Sequence, residues 1–393
     1  MPRGIQFEGR PVWAEVSLSA IAHNLRLIRR KIGRKRKILA VVKANAYGLG
    51  AVEISRFLSR LGVEAFGVTC SAEGIELRDA GIRQSILLLS GFWPGEERRM
   101  FRYNLTPAIV RLDQLRSLEC AAAKSPRLKT RIKFPFHLKI DSGMNRLGVS
   151  PEQLGAFIRA YASCPHLELA GTFTHFASSD DFRSTQNEQQ EKIFADALSH
   201  LREAGISPGI VHMANSAAIC ARDATWAGMV RPGAVLYGYH QSFEPPEFLS
   251  GVKRDMQLKP CLSFRARIIS LRELAARQPV GYGAKFVTER PSRIAVIAAG
   301  YADGIVRLRG NRGCVIVRGR LAPLVGTISM DLSMVDVTDV PGVALGDAVT
   351  IYGRDGGVAI HADEVARQIG TVTSDLLCAL GRRVPRFYLP EPR

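Results

Sequence analysis

A chain of 393 residues is long for a single core, and its 46% apolar, 7% aromatic and 23% charged composition is that of an ordinary globular protein, so two domains are expected. No apolar stretch approaches the roughly 20 residues needed to cross a bilayer, and Met1 to Val16 has neither a continuous apolar core nor a small-residue cleavage site, which argues against a membrane protein and a signal peptide. The net charge of +18 invites nucleic acid or an anionic membrane, but its densest run, Arg29-Arg30-Lys31 through Arg34-Lys35-Arg36-Lys37, joins a helical stretch to an apolar strand and carries no nucleic-acid-binding signature, so it reads as a solvated connection.

In chain order, a helix is expected over 19–32, followed by short apolar, β-rich runs at 38–43, 65–69, 85–90, 106–110, 134–141, 167–174, 210–214 and 229–236. Between them, 52–61, 72–80, 112–123, 151–161 and 186–204 repeat apolar residues at three- and four-residue steps, the period of an amphipathic helix. Eight strand-plus-helix units in about 240 residues are the arithmetic of a (β/α)8 barrel, with an open doubly wound sheet as the competing arrangement. Ser242 to Glu247 reads as a linker. Beyond it, β-type runs at 258–271, 293–299, 313–318, 322–328, 333–337 and 348–353 with glycine turns describe a mostly β domain, closed by short helices at 363–369 and 374–380. The expected domains are therefore a barrel over 1–243 and a β domain over 244–393. Seven dispersed cysteines (70, 120, 164, 220, 261, 314 and 378), odd in number and without CxxC spacing, point to reduced thiols in a cytoplasmic setting and to no metal site.

Barrel enzymes place their chemistry at the C-terminal ends of the strands. Lys43 ends the first apolar run; Lys139, Asp141 and Arg146 end or follow the fifth; His175 ends the sixth; Asn215 and Ser216 follow the seventh; Arg231 and Gly233 lie in the eighth. A lysine at the end of a buried strand is either a snorkelling side chain or an amine suited to Schiff-base chemistry. Asn215-Ser216 reads as a helix cap, and with Gly233 it makes a seat for a phosphate. A reactive lysine beside a phosphate seat suggests pyridoxal 5′-phosphate. Arg231 either clamps an anion or faces the cofactor ring, where a fixed cation would disfavour protonation of the pyridine nitrogen. His175 is either a core histidine or a partner of that arginine. In the β domain, Tyr282 sits between two glycines and Tyr301 between Gly300 and Ala302, as packed turn residues or as a base whose pKa needs lowering from about 10.

Taken together, Val41-Val42-Lys43-Ala44-Asn45-Ala46-Tyr47-Gly48, Leu138-Lys139-Ile140-Asp141 with Arg146-Leu147-Gly148, Thr174-His175-Phe176, Ala214-Asn215-Ser216-Ala217, Arg231-Pro232-Gly233, Gly281-Tyr282-Gly283-Ala284, Gly300-Tyr301-Ala302-Asp303-Gly304 and Met330-Asp331 resemble, in this order and through nearly the whole chain, the alanine racemases of the fold-type III pyridoxal-phosphate class. The resemblance implies racemisation of L- and D-alanine by two bases, supplying D-alanine for peptidoglycan. It implies that Lys43 holds the cofactor and serves one face of the substrate, while Tyr282 of a second subunit serves the other, so that a homodimer is expected. It further implies that His175 links Tyr282 to Arg231, that Arg231 bonds the pyridine nitrogen, and that Tyr47, Ser216 and Gly233 hold the phosphate. Arg146 is implied at the ring hydroxyl and substrate carboxylate, with the Met330 backbone nearby. Lys139 matches a lysine carbamylated in some members, and Tyr301 and Met330 narrow the entrance.

Two positions depart from the family pattern. Leu49 stands where a histidine is common, and Ser374 stands where a phosphate-binding tyrosine is usual. Loss of one charge-assisted bond costs about 1.5–3 kcal/mol, so weaker phosphate anchoring is expected. The alternatives are a racemase of serine or of a larger amino acid, and a cofactor-binding protein without turnover.

Overall fold

The computed structural model describes residues 9–125 and 133–390; the first eight residues of the N-terminal segment read above lie outside them. The chain divides into two compact units, one of residues 22–46 and 51–258, the other of residues up to 21, 47–50 and 259 onward.

The first strand, β1 (Val12–Ser17), belongs to the second unit. The strands that follow are β2 (Lys37–Val41), β3 (Ala65–Val68), β4 (Ser85–Leu88), β5 (Thr106–Ile109), β6 (Phe134–Lys139), β7 (Leu167–Phe173), β8 (Ile210–His212) and β9 (Met229–Val230). They form one sheet in the order β8-β7-β6-β5-β4-β3-β2-β9, and every paired neighbour is parallel. Strands β8 and β9 meet through two backbone bonds, Gly228 N to Val211 O and Arg231 N to Ala214 O, both 3.0 Å, so the sheet is a nearly closed eight-stranded barrel. The strands are short and apolar because both faces are covered: Ile38, Phe66, Ile86, Ala108, Leu138 and Leu167 are all wholly buried. Helices at Ala51–Arg60, Ser71–Asp79, Leu112–Ala123, Pro151–Tyr161 and Gln186–Glu203 supply the crossovers.

The eighth run is shorter than its apolar pattern predicts. Pro232 has no N–H to give to a ladder, so the strand stops at Val230 and the chain turns into a 3-10 segment, Ala234–Tyr237. Arg231 and Gly233 thus sit just past the strand rather than within it.

The other unit adds β10 (Leu262–Leu274), β11 (Ser292–Ile297), β12 (Cys314–Val317), β13 (Arg320–Val325), β14 (Ser333–Asp336), β15 (Ala348–Asp355), β16 (Val358–Ile360) and β17 (Arg386–Leu389). Its sheet runs β16-β15-β12-β13-β14-β11-β10-β1-β17, and an additional β15–β10 pairing closes its middle into a ring. Strand β1 pairs antiparallel with β10 and parallel with β17, which removes the N-terminus from the barrel segment of 1–243. At the other end, the helix Glu247–Asp255 stays with the barrel unit, where Phe248 stacks on Phe182 at 4.3 Å and His240 Nε2 lies 3.0 Å from Met256 O. The contact boundary consequently falls after Leu258 rather than at 243. No helix among the described residues is long and apolar enough to cross a membrane.

Candidate active site

The end of β2 carries an unusual turn. Ala44, Asn45, Ala46 and Tyr47 all have left-handed backbones, with φ of 52°, 55°, 51° and 57°, and none is glycine. Each such residue costs roughly 1–2 kcal/mol. The strain is tied down by Ala46 N donating to Val42 O at 2.8 Å, Ala44 N to Glu73 Oε1 at 2.7 Å and Ala51 N to Asn45 Oδ1 at 2.8 Å. Its effect is to end the strand abruptly and leave Lys43 exposed, whereas the sequence suggests a partly buried amine.

The buried amine is Lys139, at the end of β6. Burial, with Arg146, Arg231 and Lys43 nearby, lowers its pKa from 10.5 to about 8, against the opposing pull of Asp141. Its Nζ lies 5.7 Å from the centre of the Phe173 ring. Just beyond, the Asp141 carboxylate accepts from the backbone N–H groups of Gly143, Asn145 and Arg146 at 3.0–3.1 Å, folding the loop that presents the exposed Arg146.

Arg231 is buried among neutral acceptors. Its Nη1 lies 3.0 Å from His212 Nδ1, and its Nη2 donates to Thr174 O at 2.8 Å, His175 Nδ1 at 3.1 Å and Met213 O at 3.1 Å. No carboxylate pairs with it among the described residues, and burial lowers its pKa to about 9. Phe173 lies beneath, 5.4 Å from the guanidinium carbon. The His175 pKa lies well below 6.5 because of burial and then the charges of Arg231, Lys139, Arg146 and Lys43. These residues lie at or just past the ends of β2, β6, β7 and β9, and Lys43, Arg146 and Arg231 are each near enough to act on both Lys139 and His175. Gln190, which the sequence reading missed, holds the His175 segment by donating to His175 O at 3.0 Å and accepting from Ala177 N at 2.9 Å. Its position on a helical face gave no sign of this.

At β8, Asn215 caps the helix Ser216–Ala221 by accepting from Ala218 N, and Oδ1 also accepts from Ser179 Oγ at 2.8 Å. That oxygen is committed to structure. Ser216 Oγ accepts from Gly233 N at 3.0 Å, which joins the two halves of the expected phosphate seat.

The β unit holds the remaining residues. Tyr282 is 73% exposed in a turn after Gly281, where φ is +74° and a Cβ would meet Met334 Cε at 2.5 Å. Tyr301 and Met330 are also exposed, on two loops joined by Tyr301 N to Ser329 O and Ala302 N to Met330 O, both 3.0 Å. Asp331 accepts from Arg383 Nη2 at 2.6 Å. The wholly buried Asp303 accepts from Arg383 Nε at 2.8 Å, Arg10 Nη2 at 3.2 Å and Gly300 N at 2.9 Å. Asp331 is thus one member of a group of two carboxylates and two guanidiniums that ties the loops. Tyr47 is partly buried, and desolvation followed by the Cys378 thiol pushes its phenol up to about 12. Leu49 is wholly buried, and Ser374 lies in the first turn of the helix Thr373–Cys378.

Comparisons with known proteins identify the family. The family model for the alanine racemase N-terminal domain matches residues 16–241, and that for its C-terminal domain matches 261–388. The alanine racemase of Geobacter sulfurreducens is 42% identical over 386 residues, covering 97% of this chain and 98% of that protein. Among solved structures, the alanine racemase of Bacillus anthracis with bound L-Ala-P superposes with a TM-score of 0.90 at 31% identity, over 99% of this chain and 97% of the other. That of Bartonella henselae, described with covalently bound pyridoxal phosphate, gives 0.84 at 30% identity, over 96% and 99%. The chain belongs to the alanine racemase family of isomerases.

Proposed function

We propose that this chain interconverts L- and D-alanine with pyridoxal 5′-phosphate, moving one proton at the substrate Cα between two bases, Lys43 and the partner subunit's Tyr282. The observation that carries the cofactor reading is Arg231: a buried guanidinium with only neutral acceptors is costly unless the site uses its charge. The other donors fit the same group. Lys43 offers an exposed amine at the barrel mouth, and Ser216, whose Oγ accepts from Gly233 N, keeps its own O–H to donate.

When bound, the cofactor supplies an aldehyde for an amine and a conjugated ring that spreads the electron pair left when Cα loses its proton. In this reading Lys43 would hold the aldehyde carbon until the substrate amine displaces it, and the freed Lys43 amine would then take or return the Cα proton on one face. The Tyr282 phenol gives or takes it on the opposite face, so a proton removed by one base and replaced by the other inverts the centre. Arg231 can only donate, which keeps the ring nitrogen an acceptor and unprotonated. A weaker electron sink favours return of the proton over loss of the carboxylate.

Tyr47, Ser216 and Gly233 bind the phosphate, with Asn215 shaping the turn. Arg146 binds the ring hydroxyl and the substrate carboxylate, with the Met330 backbone beside it. Tyr301 and Met330 select a small side chain, and the Asp303–Asp331 group keeps their loops in place. Because Tyr282 acts from the partner, the working form is a homodimer. None of the seven cysteines forms a disulfide, which supports a cytoplasmic enzyme, and D-alanine for peptidoglycan is the use that the family suggests.

The test is chiral mass analysis after incubating the cofactor-loaded protein with each L-amino acid in heavy water. D-alanine carrying deuterium at Cα, formed faster than any other D-amino acid, is expected. Neither exchange nor D-product in a loaded protein would overturn the reading.

A further inference from the structure

We propose that His137 is a positioning residue for Arg231, acting through His212 to hold the guanidinium in one orientation. Arg231 Nη1 lies 3.0 Å from His212 Nδ1, and a guanidinium has no lone pair to offer, so this histidine nitrogen accepts. The His212 proton therefore sits on Nε2, which is 2.9 Å from His137 Nδ1. His137 must accept there in turn and carries its own proton on Nε2. One direction of hydrogen bonding thus runs from Arg231 through two buried imidazoles, 0% and 7% exposed. Burial and the Arg231 charge hold both rings below the ordinary imidazole range, which keeps them neutral.

The strands are built around this ring pair. The pairing of β6 with β7 shifts register between Phe136 and His137, where β7 carries one extra residue, Ala170, and the shift sets Gly171 rather than Ala170 opposite His137. Opposite His137 stands Gly171, where an added Cβ would come within 2.6 Å of His137 Cε1 and 2.7 Å of Nδ1. Phe173 covers the face of His212 at 4.7 Å and 9°, leaving the ring edges for the two hydrogen bonds. The register shift sets a glycine opposite His137, that glycine makes room for its ring, and an aromatic face fixes the ring it bonds.

Without an acceptor at His137, the buried His212 Nε2–H has no partner, a penalised state that the ring escapes by turning or changing tautomer. Either change withdraws Nδ1 from Arg231. The effect on turnover rests on the proposed place of Arg231 against the cofactor ring, but the hydrogen-bond chain itself does not.

The test uses full-length protein labelled with 15N-histidine, loaded and unloaded with pyridoxal 5′-phosphate, as wild type and as His137→Phe, His137→Asn and Gly171→Ala. The wild type is expected to show His212 protonated on Nε2 and unprotonated on Nδ1, assigned through a His212→Asn variant. In His137→Phe and Gly171→Ala that N–H resonance moves or disappears, and kcat for alanine falls about ten- to a hundredfold, the scale at which groups that orient a site residue from behind act. KM changes by less than about threefold. His137→Asn, whose Oδ1 can replace Nδ1, recovers part of both signals. Should His137→Phe not fold, Gly171→Ala, which keeps both imidazoles and displaces one, carries the same test. Unchanged His212 resonances and unchanged kcat in the folded variants would overturn the proposal. A shifted His212 resonance with unchanged cofactor absorbance and kcat would uphold the hydrogen-bond chain and overturn instead the place given to Arg231.

Discussion

Arg231 Nη2 donates to His175 Nδ1 over 3.1 Å, and this bond decides where the histidine proton is. Since the guanidinium cannot accept, Nδ1 is the lone-pair nitrogen and Nε2 carries the hydrogen. Protonating Nδ1 would set two cations against each other, and burial opposes it as well, which is why the His175 pKa lies well below 6.5. His175 is then a neutral donor throughout the neutral pH range rather than an acid.

The kinetic consequence is specific. An Asn at position 175 should lower kcat while leaving the acid limb of the kcat/KM profile where it is in the wild type, because the group that titrates there is another one. Rates in both directions between about pH 5.5 and pH 9 measure this. Disappearance of an inflection near pH 6.5 in His175→Asn would show that His175 titrates after all.

Lys139 gives a stability prediction with a definite sign. Its folded pKa of about 8 lies below the ordinary 10.5, so between those values the unfolded chain holds a proton that the folded chain does not. Stability from this group therefore rises with pH across that window, and the full cost of the buried charge is present below about pH 8. The difference corresponds to about 3 kcal/mol. Lys139→Met should be more stable than the wild type at pH 7 by up to that amount in urea unfolding, with the advantage shrinking toward pH 10.5. The same lowered pKa raises the share of neutral amine, which can add carbon dioxide and release a proton, leaving an anion beside Arg146 and Arg231. A carbamate carbon signal in 13C-bicarbonate, absent from Lys139→Met, is expected. An equal signal in both proteins would rule out Lys139 as its source.

How much of this was legible in the sequence depends on whether a residue acts where the chain is read. Lys43, Lys139 and His175 each stand at or near the end of a short apolar run, and a parallel barrel turns that linear position into a shared end, whereas Arg231 lies within its run and reaches that end because the strand stops at Val230. His137 and His212 are different. They lie within apolar runs, and their meaning depends on which residue of a neighbouring strand stands opposite, a matter of the bulge at Phe136/His137 that periodicity does not reveal. Arg10 and Arg383 reach Asp303 from opposite ends of the chain, so no local pattern announces them. The N-terminal strand likewise reads as part of the barrel segment, and only its pairing with β10 and β17 assigns it to the other unit.

Ser374 is the family departure whose consequence can be measured directly. A serine hydroxyl in the first turn of Thr373–Cys378 is shorter than a tyrosine by the length of a ring, so under the proposed function it would forgo the phosphate bond that the family's tyrosine makes. Ser374→Tyr should recover about 1.5–3 kcal/mol, or roughly ten- to a hundredfold in pyridoxal-phosphate affinity. Equilibrium dialysis of the stripped protein, with free cofactor quantified by absorbance, reads this. Equal affinities would mean that Tyr47, Ser216 and Gly233 already saturate the phosphate.

The turn after Lys43 yields a prediction that runs against the usual cost of glycine. Elsewhere Ala→Gly loosens the unfolded chain and destabilises by roughly 0.5–1 kcal/mol. Ala44, however, is exposed and has φ of 52°, a left-handed conformation that costs a residue with a Cβ roughly 1–2 kcal/mol. Relief of strain exceeds the entropy penalty, so Ala44→Gly should be neutral or more stable by up to about 1 kcal/mol in urea unfolding, with an unchanged m-value. The same freedom acts on function in the opposite direction. Four consecutive left-handed residues leave Lys43 one way out of the strand, and a glycine at their head adds others, so the amine spends less time presented to the mouth. Ala44→Gly is therefore expected to show higher stability with lower kcat, and an Ala44→Gly variant less stable than the wild type would show that the turn is not strained at Ala44.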